Sequence, residues 1–362
     1  MTEQNNSFRG LRILVSVAAL VIIIAGINLA QSVVVLFLIS VFLAILGIPP
    51  MHWLKRKHIP SGFAVLIVMA VMVVIIILIG AQIGTSFSNF SDELPLLQSR
   101  IREQVLELIA LLKSRGIVVK EKFFLEYINP EAIMILTAGL LSGLGSVLSD
   151  LVLILLTVTF ILLEVSSFPI KLREILGDPK QAFPQFTRFV YDMKRYMVIK
   201  TIINLIAGIL IAVWMYILGV QFPVLWGFLA FLLHYVPNIG AIIAVIPAML
   251  LALVQLGMGS ALLVAAGNII IGFIIGNMIE PRLMGRKLGL STLVVFLSLI
   301  FWGSLLGLIG AILCIPLTMT LKFAFENNEK TLWIAVLLGS EKSNDFSSPL
   351  SKKKKNNDKN YI

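Results

Sequence analysis

Unbroken apolar runs about as long as a bilayer is thick leave this chain few ways to fold. The hydrocarbon core is ~30 Å deep and a helix rises 1.5 Å per residue, so roughly 20 apolar residues cross it. Runs of that kind occupy 11–30, 32–48, 61–84, about 143–163, 201–219 and 260–279. In lipid a segment must satisfy its own backbone donors and acceptors, which selects helices. Composition closes the alternative: charged residues are 13% of the chain, about half of what a water-facing surface carries. The expected fold class is an all-α polytopic membrane protein. Arg9 and Arg12 before the first run resemble a signal peptide. The run exceeds the ~7–15 residues of a signal core and no small-x-small site follows it, so it reads as a retained first span. Cys314 is the one cysteine, so no disulfide forms within the chain.

Two further runs, 222–257 and 291–321, are too long for straight spans, at roughly 45–55 Å. Both carry helix breakers: Pro237, Gly240 and Pro247 in one, Gly303, Gly307, Gly310 and Pro316 in the other. Charge says how they cross. Of 29 Lys and Arg, 23 lie at the N-terminus, at 55–57, 164–200 and 280–287, and after Leu321. By the positive-inside rule those places are cytoplasmic. The stretch 85–138 has six basic residues against seven acidic ones and reads as external. Counting crossings between these fixed points leaves 222–257 entering and leaving on the outer face. By the same count 291–321 enters and leaves on the inner face. The two also share a string, IGAIIAVIPAM at 239–249 and IGAILCIPLTM at 309–319. Opposite entry and a shared string suggest an inverted repeat. The alternative is chance similarity within apolar sequence.

The expected organisation is three spans in 1–84, an external helical domain at 85–138, and a fourth span with a cytoplasmic amphipathic linker at 139–200. A transport core with both hairpins follows at 201–322, then a basic tail at 323–362. Leu97, Ile101, Val105, Leu108 and Leu112 give the external domain its helical period. The tail, with its four lysines at 352–355, reads as a solvated segment touching anionic lipid. The orientation rule accounts for the +10 charge, so nucleic acid is not an expected partner.

Strongly polar groups at membrane depth are costly and are functional candidates by default. They are few: His234, Tyr235 and Asn238 around Pro237; Asn268 and Asn277; Glu280, Pro281 and Arg282 at the end of a span; Lys200 and Asn204 near the start of another; and Asp150. In HYVPNIG, Pro237 removes a backbone donor and Gly240 permits unusual dihedrals, so freed carbonyls and the Asn238 amide are available to a polar solute. His234 titrates near neutral pH when unperturbed and suits proton coupling; otherwise it is an interfacial ring bonding a carbonyl. Asn268 and Asn277 are path residues or helix–helix glue. Glu280 and Arg282 are a gate or an interfacial ion pair. The sequence has no Walker loop, HExxH, Cys/His cluster or GxSxG elbow, so an ATP-driven pump, a metal or other cofactor and an enzyme are not expected.

Three stretches now converge: FLLHYVPNIGAIIAVIPAMLLALVQLG from Phe231, GNMIEPRLMGRKLGLSTLVVFLSLIFWG from Gly276, and LLGLIGAILCIPLTM from Leu305. Together they resemble the signature half of the autoinducer-2 exporter family of bacterial inner-membrane transporters. LTVTFILLE before a basic linker resembles it too, and GRKLGLSTLVVFLSLIFWG is similar to the branch that exports autoinducer-2. The resemblance covers nearly the whole chain. It implies about eight membrane segments, homo-oligomers with pentamers among them, and N- and C-termini in the cytoplasm. It also implies export of a small polar solute, the quorum-sensing signal autoinducer-2 foremost. By motif it carries over Pro237, Asn238 and Gly240 from PNIG, and Glu280, Pro281, Arg282 and Gly285 from EPRLMG. The expected solute path adds His234, Tyr235, Asn268, Asn277, Gly303, Gly307 and Gly310, with Asp150 as a coupling candidate. Other family members are similar to Na⁺(Li⁺)/H⁺ antiporters, which keeps antiport open. A non-transporting membrane scaffold is the third reading.

Overall fold

The computed structural model describes residues 2–114, 139, 150–176, 184–237, 239–284, 289–326, 328 and 330–339. Among them every regular element is helical: α1 (Thr2–Leu29), α2 (Gln31–Arg56), α3 (Ser61–Ser114), α4 (Leu151–Leu176), α5 (Pro184–Leu218), α6 (Pro223–Leu233), α7 (Gly240–Leu256) and α8 (Met258–Ile274). A π-helical turn (Ile275–Ile279) leads into α9 (Glu280–Met284), followed by α10 (Thr292–Ile312), α11 (Cys314–Glu326) and α12 (Leu332–Leu338). A single isolated β-bridge joins Leu290 to Gly339.

The molecule is apolar on its outside as well as its inside. Ile22, Leu78, Val152 and Ile217 are each about two-thirds exposed or more. An apolar belt of this extent is a lipid-facing surface rather than a water-facing one. Five helices are long and apolar enough to cross a membrane, within 31–56, 61–86, 186–218, 258–284 and 292–312, with shorter apolar helices beside them.

Two packing units result. In the first, α2 packs on α4 and α3 around Ala44, Met51, Val65, Val68, Ile154, Val158 and Leu162. Small residues let the helices approach closely, as at Gly47, where an added Cβ would lie 3.2 Å from Leu162. In the second, α5 and α6 lie against each other, and the α6–α7 hairpin forms the main core with Trp226, Leu229, Leu233, Leu251 and Val264. Their closest approach is glycine on glycine: a Cβ on Gly208 would sit 2.6 Å from the Gly227 carbonyl oxygen, and one on Gly227 2.6 Å from that of Gly208.

Both long apolar runs are hairpins. The first is α6–α7. At its mouth the Gln221 backbone N–H donates to Gln255 Oε1 (3.2 Å), and the Gln255 amide donates to Gln221 Oε1. The second runs from α10 to α11, broken at Gly307 (φ 64°, ψ −148°). At its mouth Lys322 Nζ donates to the Gly289 carbonyl (2.8 Å), and Ser291 N–H donates to that of Leu338 (3.1 Å). Each chain segment therefore leaves where it entered. Between the mouths runs the apolar rod of α8, the π turn and α9, 27 residues from Met258 to Met284, or about 40 Å. One mouth stands at each end of that rod.

The shared IGA string does the same work in both. A Cβ on Gly240 would fall 1.7 Å from the Leu233 carbonyl oxygen and 3.2 Å from Val236 Cβ. A Cβ on Gly310 would fall 1.9 Å from the Trp302 carbonyl oxygen and 2.7 Å from Leu306 Cβ. In each hairpin this glycine is where the returning arm touches the end of the outgoing one.

Helix limits differ from the sequence reading in several places. α5 starts at Pro184 rather than 201, so half of the expected surface linker is a continuation of the span. Pro184 suits a first turn because the N–H it lacks would have no partner there. α2 runs through Pro49 and Pro50 to Arg56 rather than stopping at 48. α3 continues from its membrane span without a break to Ser114, into the stretch expected to be external; 115–138 lie outside the described residues.

Candidate functional site

The tip of the first hairpin, residues 234–237, is packed against the N-terminal half of α5 and the π turn. Pro237 cannot donate to a helix, and the last turn of α6 closes on itself instead: His234 N–H donates to Ala230 O (2.9 Å) and Val236 N–H to Leu233 O (2.9 Å). This break opens a cavity of about 520 Å³, lined by His234, Pro237, Asn268 and Asn277 together with Lys200 and Glu280. The volume is within the ~300–1,000 Å³ of small-molecule sites.

One wall is an ion pair. Lys200 Nζ lies 2.9 Å from both carboxylate oxygens of Glu280, with the lysine side chain 9% exposed and the glutamate 27%. The two residues are 80 positions apart and meet because α5 crosses the start of α9. Glu280 thus pairs with Lys200 and not with Arg282, which is exposed and outside the cavity lining. His234 forms the opposite wall: its Nδ1 is 2.7 Å from Ala230 O, while its Nε2 is buried with no hydrogen-bond partner among the described residues. Tyr235 is buried and donates its hydroxyl to Thr201 Oγ1 (2.6 Å). Phe42 and Phe231 meet its ring edge-on at 5.6 and 5.8 Å. Behind Tyr235 lies a second, apolar cavity of about 270 Å³, which Tyr235 also lines.

The remaining wall is α8 and the π turn. Asn268 Nδ2 donates to Val264 O (2.9 Å) and Asn277 Nδ2 to Phe273 O (3.2 Å). Each amide thereby satisfies a donor within its own helix. The π turn spans Ile275–Ile279 and holds Asn277. Such bulges displace side chains from the α-helical register and recur at functional sites.

The structure therefore gathers His234, Tyr235, Pro237, Asn268, Asn277 and Glu280 around one cavity. Gly240 shapes it from behind by admitting the close turn. Gly303, Gly307 and Gly310 belong to the second hairpin and do not line it; that hairpin contributes Ile315. Asp150 sits exposed at the start of α4, also outside the lining. Pro281 is exposed at the head of α9. Asn238 and Gly285 lie outside the described residues. Sequence reasoning counted Lys200 and Asn204 among the candidate polar groups at membrane depth but gave neither a role. Asn204 is fully buried, and neither its Nδ2 nor its Oδ1 has a partner among the described residues. It stands one helical turn beyond Lys200 on the same face. Thr201 was not singled out at all; its signal was its place beside Lys200, where the basic linker meets the apolar run.

Comparison with known proteins gives this geometry a family. The AI-2E family transporter model matches residues 17–330. The AI-2 transport protein TqsA of Escherichia coli is 40% identical over 332 residues, covering 92% of this chain and 96% of TqsA. YhhT of Escherichia coli, named only as a candidate transport protein, is 34% identical, covering 91% and 95%. A relative from Haemophilus influenzae, named in the same way, is 35% identical over 91% and 96%. A match running from the first span to beyond the second hairpin takes in both packing units and every wall of the cavity, and the chain belongs to the AI-2E transporter family.

Proposed function

We propose that this chain is a secondary transporter that exports autoinducer-2, or a closely similar small polar solute, across the bacterial inner membrane. The cavity at the tip of the first hairpin is its binding site. The observation that carries the reading is the meeting of a Lys200–Glu280 pair with a His234 Nε2 that has no partner among the described residues, around a cavity of small-molecule size. Polar groups of this kind are expensive in a membrane core unless a polar occupant uses them. A hydroxyl-rich furanone both donates and accepts: the carboxylate of Glu280 accepts from its hydroxyls, and the free donor of Lys200 and the ring of His234 complete its shell. The similarity to TqsA supports the choice of solute. Both termini are cytoplasmic in this reading, the stretch 85–138 faces outward, and the working unit is a homo-oligomer.

The test is flux of labelled autoinducer-2 in sealed vesicles, with and without a proton gradient, and with Na⁺ as the competing substrate. Saturable signal flux that His234→Ala abolishes is the expected result. Absent signal flux together with Na⁺-driven proton movement would overturn it and establish antiport.

A further inference from the structure

A second polar pocket, remote from the hairpin tip, lies between α2 and α5. It has a volume of about 620 Å³ and is lined by Pro49, His52, Trp53, Lys55, Arg56 and Lys194. Among the described residues of its lining, four of the six carry or can carry positive charge and none is acidic. Lys194, Lys55 and Arg56 are the charged neighbours of His52. Arg56, Lys194 and His52 gather like charge here, and an anion placed among them relieves their repulsion. The pocket sits where the apolar run of α2 gives way to the basic residues 55–57, at the depth of the lipid headgroups. Trp53, 61% exposed, is a residue of that interface.

Next to it an apolar groove of about 280 Å³ follows α2 and α5 toward the membrane centre. Ile45, Ile48, Met193, Met197 and Leu317 line it, and Lys194 lines both the groove and the basic pocket. A basic chamber at headgroup level beside an apolar groove, the two sharing Lys194, has the two-part chemistry of one class of ligand. A soluble phosphate would use the chamber and leave the groove unfilled. We propose that this is a binding site for an anionic phospholipid, its phosphodiester held by Arg56, Lys194 and His52 and an acyl chain lying in the groove. The site joins α2, from the first packing unit, to α5, from the second. A bound lipid therefore braces the two units against each other, independently of which solute is carried.

The full chain is placed in phosphatidylcholine nanodiscs containing a minor fraction of cardiolipin or phosphatidylglycerol, and lipids retained on release are read by native mass spectrometry. The wild type is expected to retain the anionic lipid in preference to phosphatidylcholine. Arg56→Gln with Lys194→Gln lowers that retention at least about 10-fold. Lys171→Gln with Arg188→Gln, the same charge change elsewhere, leaves it unaltered. If the first pair does not fold, Lys194→Gln alone is read by the same criterion. Equal retention of neutral and anionic lipid, or equal loss in both double variants, overturns the site. Displacement of the lipid by glycerol 3-phosphate overturns the lipid assignment in favour of a soluble anion.

Discussion

At the residue scale, the Lys200–Glu280 pair decides most. Both charges are largely withdrawn from solvent. Removing one partner leaves the other uncompensated, at a cost of about 3–5 kcal/mol, whereas replacing both with apolar groups is often neutral. Glu280→Leu is therefore expected to lower the melting temperature of the solubilised protein. Lys200→Met with Glu280→Leu is expected to regain it. If the pair also contacts solute, the double variant stays folded and transports at less than a tenth of the wild-type rate. A folded double variant with full flux would reduce the pair to a structural element. None of this pairing was legible in the sequence. Glu280 was picked out because it is an acid at the end of a span, and its nearest cation there is Arg282. No spacing rule relates it to a lysine 80 residues earlier; only the crossing of α5 with α9 does. The buried amide of Asn204, without a partner among the described residues, was hidden for the same reason, since its burial depends on which face of α5 is packed.

At the element scale, the hairpins were legible because two constraints acted together. Their lengths exceed a bilayer, and the basic residues on either side fix the parity of crossings. Breakers at Pro237, Gly240 and Gly307 marked where the turns fall. The particular duties of the glycines were not legible. Gly307 is needed for its backbone, at φ 64°, and Gly240 and Gly310 for space against a carbonyl oxygen. A carbonyl fixed in a helix end cannot move aside as a side-chain tip can. Gly240→Ala and Gly310→Ala are accordingly expected to destabilise the fold by about 3 kcal/mol or more, at or beyond the usual range for overpacking. Gly303→Ala is the internal control, because its Cβ would meet Ala311 Cβ at 3.7 Å, an ordinary contact. Thermal unfolding of the three variants in one detergent checks this. Equal melting temperatures would mean that the hairpin tips relax to accept a methyl group. The helix limits were the least legible feature. α5 reaches back to Pro184 and α3 on to Ser114 because helices do not stop where hydropathy does. They stop where capping or backbone geometry fails.

At the scale of the whole molecule, the two hairpins and the rod between them form a frame with a definite polarity. Positive charge near the second mouth and in the 164–200 linker places those parts on one side. The 40 Å rod then places the first mouth on the other. The proposed binding cavity lies at the tip of the first hairpin, beside Lys200 and Glu280, and so nearer the basic side than the mouth its own hairpin enters from. With the basic side cytoplasmic, as proposed above, it is the side from which an exported solute would arrive. This arrangement predicts the labelling of single cysteines in intact cells. Gln221→Cys and Leu256→Cys are both expected to react with an impermeant external thiol reagent, since the proposed orientation puts their mouth outside. Gly289→Cys and Phe325→Cys, at the other mouth, are expected to react only once the membrane is permeabilised. The native Cys314 is buried, so its background is low. Reaction of only one of the first pair would mean that the α6–α7 segment crosses the membrane instead of returning. Reaction of all four from outside would break the opposed entry of the hairpins, and with it the assignment of the cavity to the cytoplasmic side.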